Sequence, residues 1–188
     1  MSLNVSDETF KRAIAALKQQ QIIAYPTEAV YGLGCDPRSE SAVEKILQLK
    51  NRQREKGLIL IACDITQLEP YLGLLTDKQW QQLKQTWPGA HTWLVPKSNA
   101  VPTWIHGAFD TIAVRVTNHP VAAALCQRFG HPLVSTSANR AGQTPLTDNV
   151  RVFETFGDEI DYIVPGRVGN QRKPSVIQDL LTQQLIRE

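Results

Sequence analysis

Thr111 to Gly142 reads TIAVRVTNHPVAAALCQRFGHPLVSTSANRAG, and the order of its pieces decides the fold. TIAVRV is rich in β-branched residues and reads as a strand. Asn118 offers a cap to HPVAAALCQRF, whose apolar residues recur at helical spacing, and Gly130 closes that helix. PLVST then returns to a strand. A strand, a capped helix and a second strand in succession are the building unit of a sheet flanked by helices.

The same alternation extends on both sides of this stretch. Phe10, Ile14 and Leu17 share a helical face behind a cap at Ser6, with Asp7 and Glu8 in the first turn. IIAY (22–25) is a short buried strand ended by Pro26, and Ser39 caps a helix carrying Val43, Ile46 and Leu47. LILIA (58–62) is a continuous apolar run, which marks a strand covered on both faces. Thr76 and Gln79 form a capping box for a helix through Trp80, Leu83 and Trp87, stopped by Pro88-Gly89. HTWLV, DYIV and SVIQDL read as further strands, and Thr147 opens a helix through Phe156 to Gly157. The expected architecture is a twisted, mostly mixed or parallel α/β sheet flanked by helices, in one domain over residues 1–188. Ligands of such sheets usually sit at the carboxyl ends of strands.

Composition narrows the function classes. The chain has 188 residues, 42% hydrophobic and 20% charged, enough for a sizeable core. A net charge of +2 is too small to make the whole protein a nucleic-acid binder, so electrostatic recognition must be local. Cys35, Cys63 and Cys126 are odd in number and far apart, with no Cys-x-x-Cys pair, which suits a reducing cytosol. The first twenty residues lack the basic-then-apolar order of a signal peptide, and no apolar run approaches the roughly 18 residues of a membrane span. A soluble, cytoplasmic protein without membrane contact is expected.

Five segments carry candidate chemistry. YPTEAVYGLG (25–34) follows a strand directly: Thr27 offers a hydroxyl, and Gly32 and Gly34 permit close backbone approach. GLGCDP is only a fragment of a dinucleotide fingerprint, and a tight strand-to-helix turn explains it as well. KNRQREKG (50–57) sets Lys50, Arg52, Arg54 and Lys56 two apart, so an extended chain would turn all four to one side and toward a triphosphate. A loop would instead make them a solvated basic patch. Arg115 inside an apolar strand is costly unless its guanidinium meets an anion or lies on a wet edge. In STSAN, Ser135, Ser137 and Asn139 share one side of an extended segment, with Thr136 and Ala138 facing away. Short hydroxyls there suit a nucleotide or merely cap the strand. PGRVGNQRKPSVIQDL brings Arg167, Arg172 and Lys173 before Ser175, a basic loop able to close over an anion. No Walker A motif or Gly-x-Ser-x-Gly elbow is present, and His91, His106, His119 and His131 have no motif tying them to a serine. No metal-ligand cluster stands out, although a bound triphosphate would bring Mg²⁺ with it.

The combination PTEAVYGLG, KNR followed by KGL, IAVRV, STSAN and KPSVIQDL, in that order, resembles the YrdC-like family in its short bacterial form. The resemblance covers nearly the whole chain, and its most specific signature is Lys50/Arg52 with Ser137/Asn139. It implies a basic cavity round which an open α/β sheet curves. It also implies a nucleotidyltransferase that makes L-threonylcarbamoyl-AMP and pyrophosphate from L-threonine, bicarbonate or CO₂, and ATP. Partner transferases would pass the threonylcarbamoyl group to adenosine in tRNAs reading ANN codons.

Carried over by position, Thr27, Tyr31, Arg115 and Ser135 belong to the L-threonine side, with Arg115 on the carboxylate. Lys50, Arg52, Lys56, Thr111, Ser137 and Asn139 belong to the nucleotide side, with Lys50 and Arg52 in the catalytic role and Ser175 closing the cavity. Longer members of the family carry a His near the end of the strand read here as LILIA, and an extra C-terminal domain. An RNA-binding module using the same cations, or a carbamoyl-phosphate-processing hydrolase, remains an alternative reading. A weak RNA contact alongside catalysis is compatible with either.

Overall fold

The computed structural model describes residues 5–187. A helix, α1 (Asp7–Lys18), leads into β1 (Ile23–Pro26) and β2 (Tyr31–Gly34), followed by α2 (Glu40–Leu49) and β3 (Ile59–Ala62). Then come α3 (Asp77–Thr86), β4 (His91–Pro96), the short α4 (Thr103–His106), β5 (Thr111–Val116), α5 (Pro120–Phe129) and β6 (Leu133–Ser137). The last elements are α6 (Asn149–Phe156), β7 (Tyr162–Ile163), β8 (Val176–Asp179) and β9 (Leu185–Arg187). All nine strands form one sheet in the order β7-β1-β2-β6-β3-β5-β4-β8-β9. The β1–β7, β3–β5 and β4–β8 pairs are parallel and the other five antiparallel, so the sheet is mixed, as the alternation of elements predicts.

Helices start where short polar side chains satisfy free backbone amides. The hydroxyls of Ser6 and Ser39 accept from the amides of Thr9 and Ala42. Thr76 and Gln79 close a reciprocal capping box, with Gln79 Oε1 2.8 Å from the Thr76 amide. Two expected caps shift by one residue. Pro120, at the first helical position, fixes the start of α5, so His119 and not Asn118 occupies the cap position. Helix α6 is capped by Asp148, whose carboxylate accepts from the Arg151 amide at 2.9 Å, rather than by Thr147.

The segment 25–34 is a β-hairpin and not a strand-to-helix turn. The Thr27 amide donates to Val30 O at 3.0 Å, and β2 lies between β1 and β6. Glycine-rich YGLG fits there because a Cβ on Gly34 would stand 2.5 Å from Val134 O and 2.7 Å from Tyr25 Cε1. The sequence reading also misses α4 and β9.

The sheet is covered on both faces. Leu60, Val114 and Val134 pack with Val43 and Ile46 of α2, Leu83 of α3 and Phe156 of α6. Ile23, Tyr25, Ile61 and Leu133 pack with Phe10 and Leu17 of α1 and Leu125 of α5. Adjacent Leu60 and Ile61 thus feed opposite layers, as a continuous apolar strand requires. Each such fully buried side chain contributes roughly 1.5–3 kcal/mol. Helices α1 and α5 cover only part of their face. Beyond them Ile59, Ala113 and Ser135, mutually in register on β3, β5 and β6, are left facing a cavity.

Candidate active site

The cavity has a volume of about 490 Å³ and runs along this open face of the sheet, not only past the carboxyl ends of its strands. Thr111, Ala113 and Arg115 of β5 reach it, with Ile112 between them also on the lining. The hairpin turn contributes Thr27, Glu28 and Tyr31; the α2–β3 connection contributes Arg52 and Lys56. Ser135 and Ser137 come from β6, Ser175 from the start of β8, and Arg187 from β9. Four cations and a single acid, Glu28, therefore line it among the described residues.

Arg115 is not on a wet edge. Strand β5 is interior, between β3 and β4, and the Arg115 side chain is 8% exposed. Its Nη2 lies 3.3 Å from Glu28 Oε2, and Glu28 is 6% exposed. Thr117 Oγ1 and the Asn118 amide donate to the other carboxylate oxygen of Glu28 at 2.7 and 3.2 Å. Thr27 is buried, its hydroxyl donating to Val30 O at 2.7 Å. The Tyr31 hydroxyl is within reach of the Val164 and Gly166 carbonyls, at 3.1 and 2.8 Å, and desolvation raises its pKa to about 12. Tyr31 is thus a neutral donor that ties the hairpin to residues 164–166 while it lines the cavity.

The four alternating cations do not share a side. The chain turns at Asn51, at φ 47°, and coils into a 3₁₀ turn at Arg54–Lys56, so strand alternation does not apply. Arg54 points away and pairs with Glu40 and Glu44 at 2.7 and 2.9 Å. Lys50 is buried and turned inward: its Nζ donates to Ser137 O at 2.6 Å, to Asn139 O at 2.8 Å and to Asn139 Oδ1 at 3.2 Å. Arg52 and Lys56 remain on the cavity. Arg52 donates through Nη2 to Gly57 O at 2.9 Å, and burial lowers its pKa.

On β6, Ser135 and Ser137 face the cavity, and Ala138 is fully buried in the core, as alternation predicts. Thr136 also reaches the lining. Thr136 pairs with Leu33 of β2, so its place on the lining departs from the alternation expected of it. Asn139 turns away, into its own loop. It accepts from Ser137 Oγ at 2.6 Å and donates to Arg140 O and Gln143 O, both at 2.9 Å. Ser175 is buried, with its hydroxyl 2.9 Å from Thr92 Oγ1 and within 3.0 Å of Arg187 Nη2, which donates to it.

Glu28, His106, Phe109 and Arg187 line the cavity and escape the sequence reading. The signal for Glu28 was available, an acid in the turn after a buried strand, but its partner Arg115 is remote in sequence. Arg187 lies in a three-residue edge strand with no pattern of its own.

The donor set is poor for a resident metal ion. No group of three or more His, Cys, Asp and Glu side chains comes together among the described residues. Glu28, the one acid on the lining, is already held by Thr117, Asn118 and Arg115. A divalent ion here would depend on oxygens brought by a ligand.

Comparison with known proteins places the chain among relatives. The Sua5/YciO/YrdC family, described as telomere recombination, matches residues 15–188. A threonylcarbamoyl-AMP synthase of Nitrosococcus oceani is 54% identical over 166 residues, covering 88% of this chain and 90% of that protein. One from Klebsiella pneumoniae is 47% identical over 190 residues, with 100% of both chains covered. Among solved structures, P. abyssi Sua5 complexed with L-threonine superposes with a TM-score of 0.91 at 31% identity, covering 98% of this chain. The chain spans only 55% of that longer protein. E. coli YciO gives a TM-score of 0.87 at 26% identity, covering 97% of this chain and 90% of that one. With the family match running from residue 15 to residue 188, this chain belongs to the Sua5/YciO/YrdC family.

Proposed function

We propose that this protein is a threonylcarbamoyl-AMP synthase, a nucleotidyltransferase that joins L-threonine, CO₂ or bicarbonate and ATP and releases pyrophosphate. The observation that carries this reading is that one cavity holds a buried guanidinium, Arg115, together with a separate pair of cations, Arg52 and Lys56. The full-length 47% and the 54% identical synthases support the same activity. Arg115, Thr27, Tyr31 and Ser135 form the L-threonine side. Arg52, Lys56, Thr111 and Ser137 form the nucleotide side, and Ser175 closes the wall between β8 and β4.

The chemistry needs positioning and charge more than a covalent nucleophile. The amine of bound threonine captures CO₂ to form a carbamate, whose oxygen attacks the α-phosphorus of ATP as the bond to pyrophosphate breaks. Arg52 and Lys56 offset the charge that gathers on the leaving phosphates. Lys50 and Asn139 act one step back: together they fix the backbone and hydroxyl of Ser137 against the nucleotide. Magnesium enters as part of the MgATP substrate, held by phosphate oxygens, where it neutralises charge.

The product would pass to threonylcarbamoyl-transferase proteins that modify adenosine in tRNAs reading ANN codons, which puts the reaction in the cytoplasm. No helix among the described residues is long and apolar enough to cross a membrane. Exposed Arg167, Arg172 and Lys173, in the segment leading to Ser175, support a weak additional RNA contact. That contact should fall steeply with salt in a filter-binding assay.

The direct test is pyrophosphate release from MgATP with and without L-threonine and bicarbonate. Release should require both, and release independent of threonine would overturn the assignment.

A further inference from the structure

Three segments far apart in the chain are tied into a ring behind one wall of the cavity. The first is the hairpin turn, which brings Thr27, Glu28 and Tyr31 to the lining. The second, residues 117–119, leaves β5 and starts α5; the third, residues 164–171, follows β7. Thr117 Oγ1 and the Asn118 amide join the second segment to the Glu28 carboxylate. The third is joined to the turn by its main chain: the Gly169 amide donates to Thr27 O at 2.9 Å and the Gln171 amide to Glu28 O at 3.1 Å. Packing there leaves no slack, since a Cβ on Gly169 would lie 2.6 Å from Glu28 O.

The remaining side of the ring is closed by a single side chain. His119 Nε2 lies 3.1 Å from Arg167 O, and among the described residues this is the one hydrogen bond between residues 117–119 and residues 164–171. A carbonyl only accepts, so Nε2 carries the proton. Nδ1 is buried without a hydrogen-bond partner among the described residues, as the bare nitrogen of a neutral ring. His119 stands at the cap position of α5, where Ser, Thr, Asp or Asn would satisfy a helix amide, yet it makes no side-chain cap bond. Its ring is buried and stays off the cavity lining. The donor that could have faced water is given instead to the 164–171 segment.

From this we infer that His119 is a positioning residue: by holding Arg167 O it keeps the 164–171 segment against the hairpin turn, and so fixes that turn on the cavity wall without touching substrate. The kinetic consequence rests on the synthase reading above. A loosened turn disturbs the wall that carries Thr27 and Glu28, while Arg52 and Lys56, on the α2–β3 connection, keep their places.

The test combines amide exchange with steady-state pyrophosphate release for the wild type, His119→Leu and His119→Gln, the last restoring a donor of similar reach. His119→Leu should speed exchange at the Gly169 and Gln171 amides roughly twofold to tenfold, the range of one neutral hydrogen bond, and leave Leu60 and Ile61 of β3 unchanged. The KM for L-threonine should rise by a similar factor with the KM for MgATP unmoved, and His119→Gln should reverse both effects. Gly169→Ala pushes on the same ring from its other side and should also raise the KM for L-threonine; it decides the question if His119→Leu does not fold. Wild-type exchange at Gly169 and Gln171 in His119→Leu overturns the inference. So does exchange accelerated equally in β3, or a KM for L-threonine that neither variant moves. Failure of the synthase reading looks different: wild-type pyrophosphate release would not need L-threonine, and the exchange rates alone would then decide whether His119 closes the ring.

Discussion

Lys50 reaches three oxygen atoms of the Ser137–Asn139 segment, and Arg115 reaches one carboxylate; the two buried cations answer differently to removal. Lys50→Met leaves the Ser137 and Asn139 carbonyls without their charged donor. It should lower the unfolding free energy by roughly 1.5–3 kcal/mol in urea titrations. Burial, with Arg52 nearby, pulls the Lys50 ammonium down to about 8 from its ordinary 10.5. Between those values the unfolded chain holds a proton that the folded chain has given up, so the stability contributed by this group rises with pH across that window. The wild type's margin over Lys50→Met should accordingly widen from pH 8 toward 10.5. A margin that shrinks would mean that the carbonyl contacts, not desolvation, control the charge. For Arg115→Met the main effect is a carboxylate stranded at 6% exposure, since Glu28 then has no cation beside it. Breaking a buried pair from one side costs about 3–5 kcal/mol. Chemical denaturation should register that loss without substrate, in addition to any loss of threonine affinity.

At the scale of elements, β2 is the strand on which the site depends and the one least visible in the sequence. It joins the hairpin carrying Thr27 and Glu28 to β6 and its serines. Gly34→Ala keeps an acceptable backbone conformation but drives a methyl into Val134 O and the Tyr25 ring. Strand separation must grow to accept it, at a cost of roughly 1–3 kcal/mol or more, read as a lower urea midpoint at unchanged slope. The same residue explains the misreading. YGLG lacks the β-branched run that marks a strand, and its reason for being glycine, a carbonyl on β6, is a tertiary fact. Where local chemistry decides an element, the sequence speaks plainly: Ser6, Ser39 and the Thr76–Gln79 box start helices, and Gly130 ends one in the left-handed region. In the site, Ser135 and Ser137 are legible because strand alternation fixes their side, and Arg115 because a buried charge needs an anion. Lys50 and Arg54 do not follow the extended alternative, because Asn51, in the left-handed region, ends α2 in a C-cap turn where that alternative presumes a strand.

For the molecule as a whole, the cavity joins residues far apart in the chain, from Thr27 in the first hairpin to Arg187 in the last strand. The alternation of helices and strands foretold a mixed sheet, but its order brings β9 beside β8 at the sheet edge, and no local pattern announces that. Arg187 is tied there by Nε and Nη2 bonds to Ser175 O at 3.0 and 2.7 Å, so the edge strand and the cavity wall are one unit. An anion bridging Arg52, Lys56 and Arg187 should therefore stabilise the whole fold by mass action. Inorganic tripolyphosphate at a hundred times its Kd should raise the unfolding free energy by about 2.7 kcal/mol, and slow amide exchange in β9. Arg187→Met, with affinity reduced tenfold by loss of one charged contact, should show a rise of only about 1.4 kcal/mol at the same concentration. An equal rise in both proteins would place the anion away from β9 and confine the phosphate side of the cavity to the α2–β3 connection.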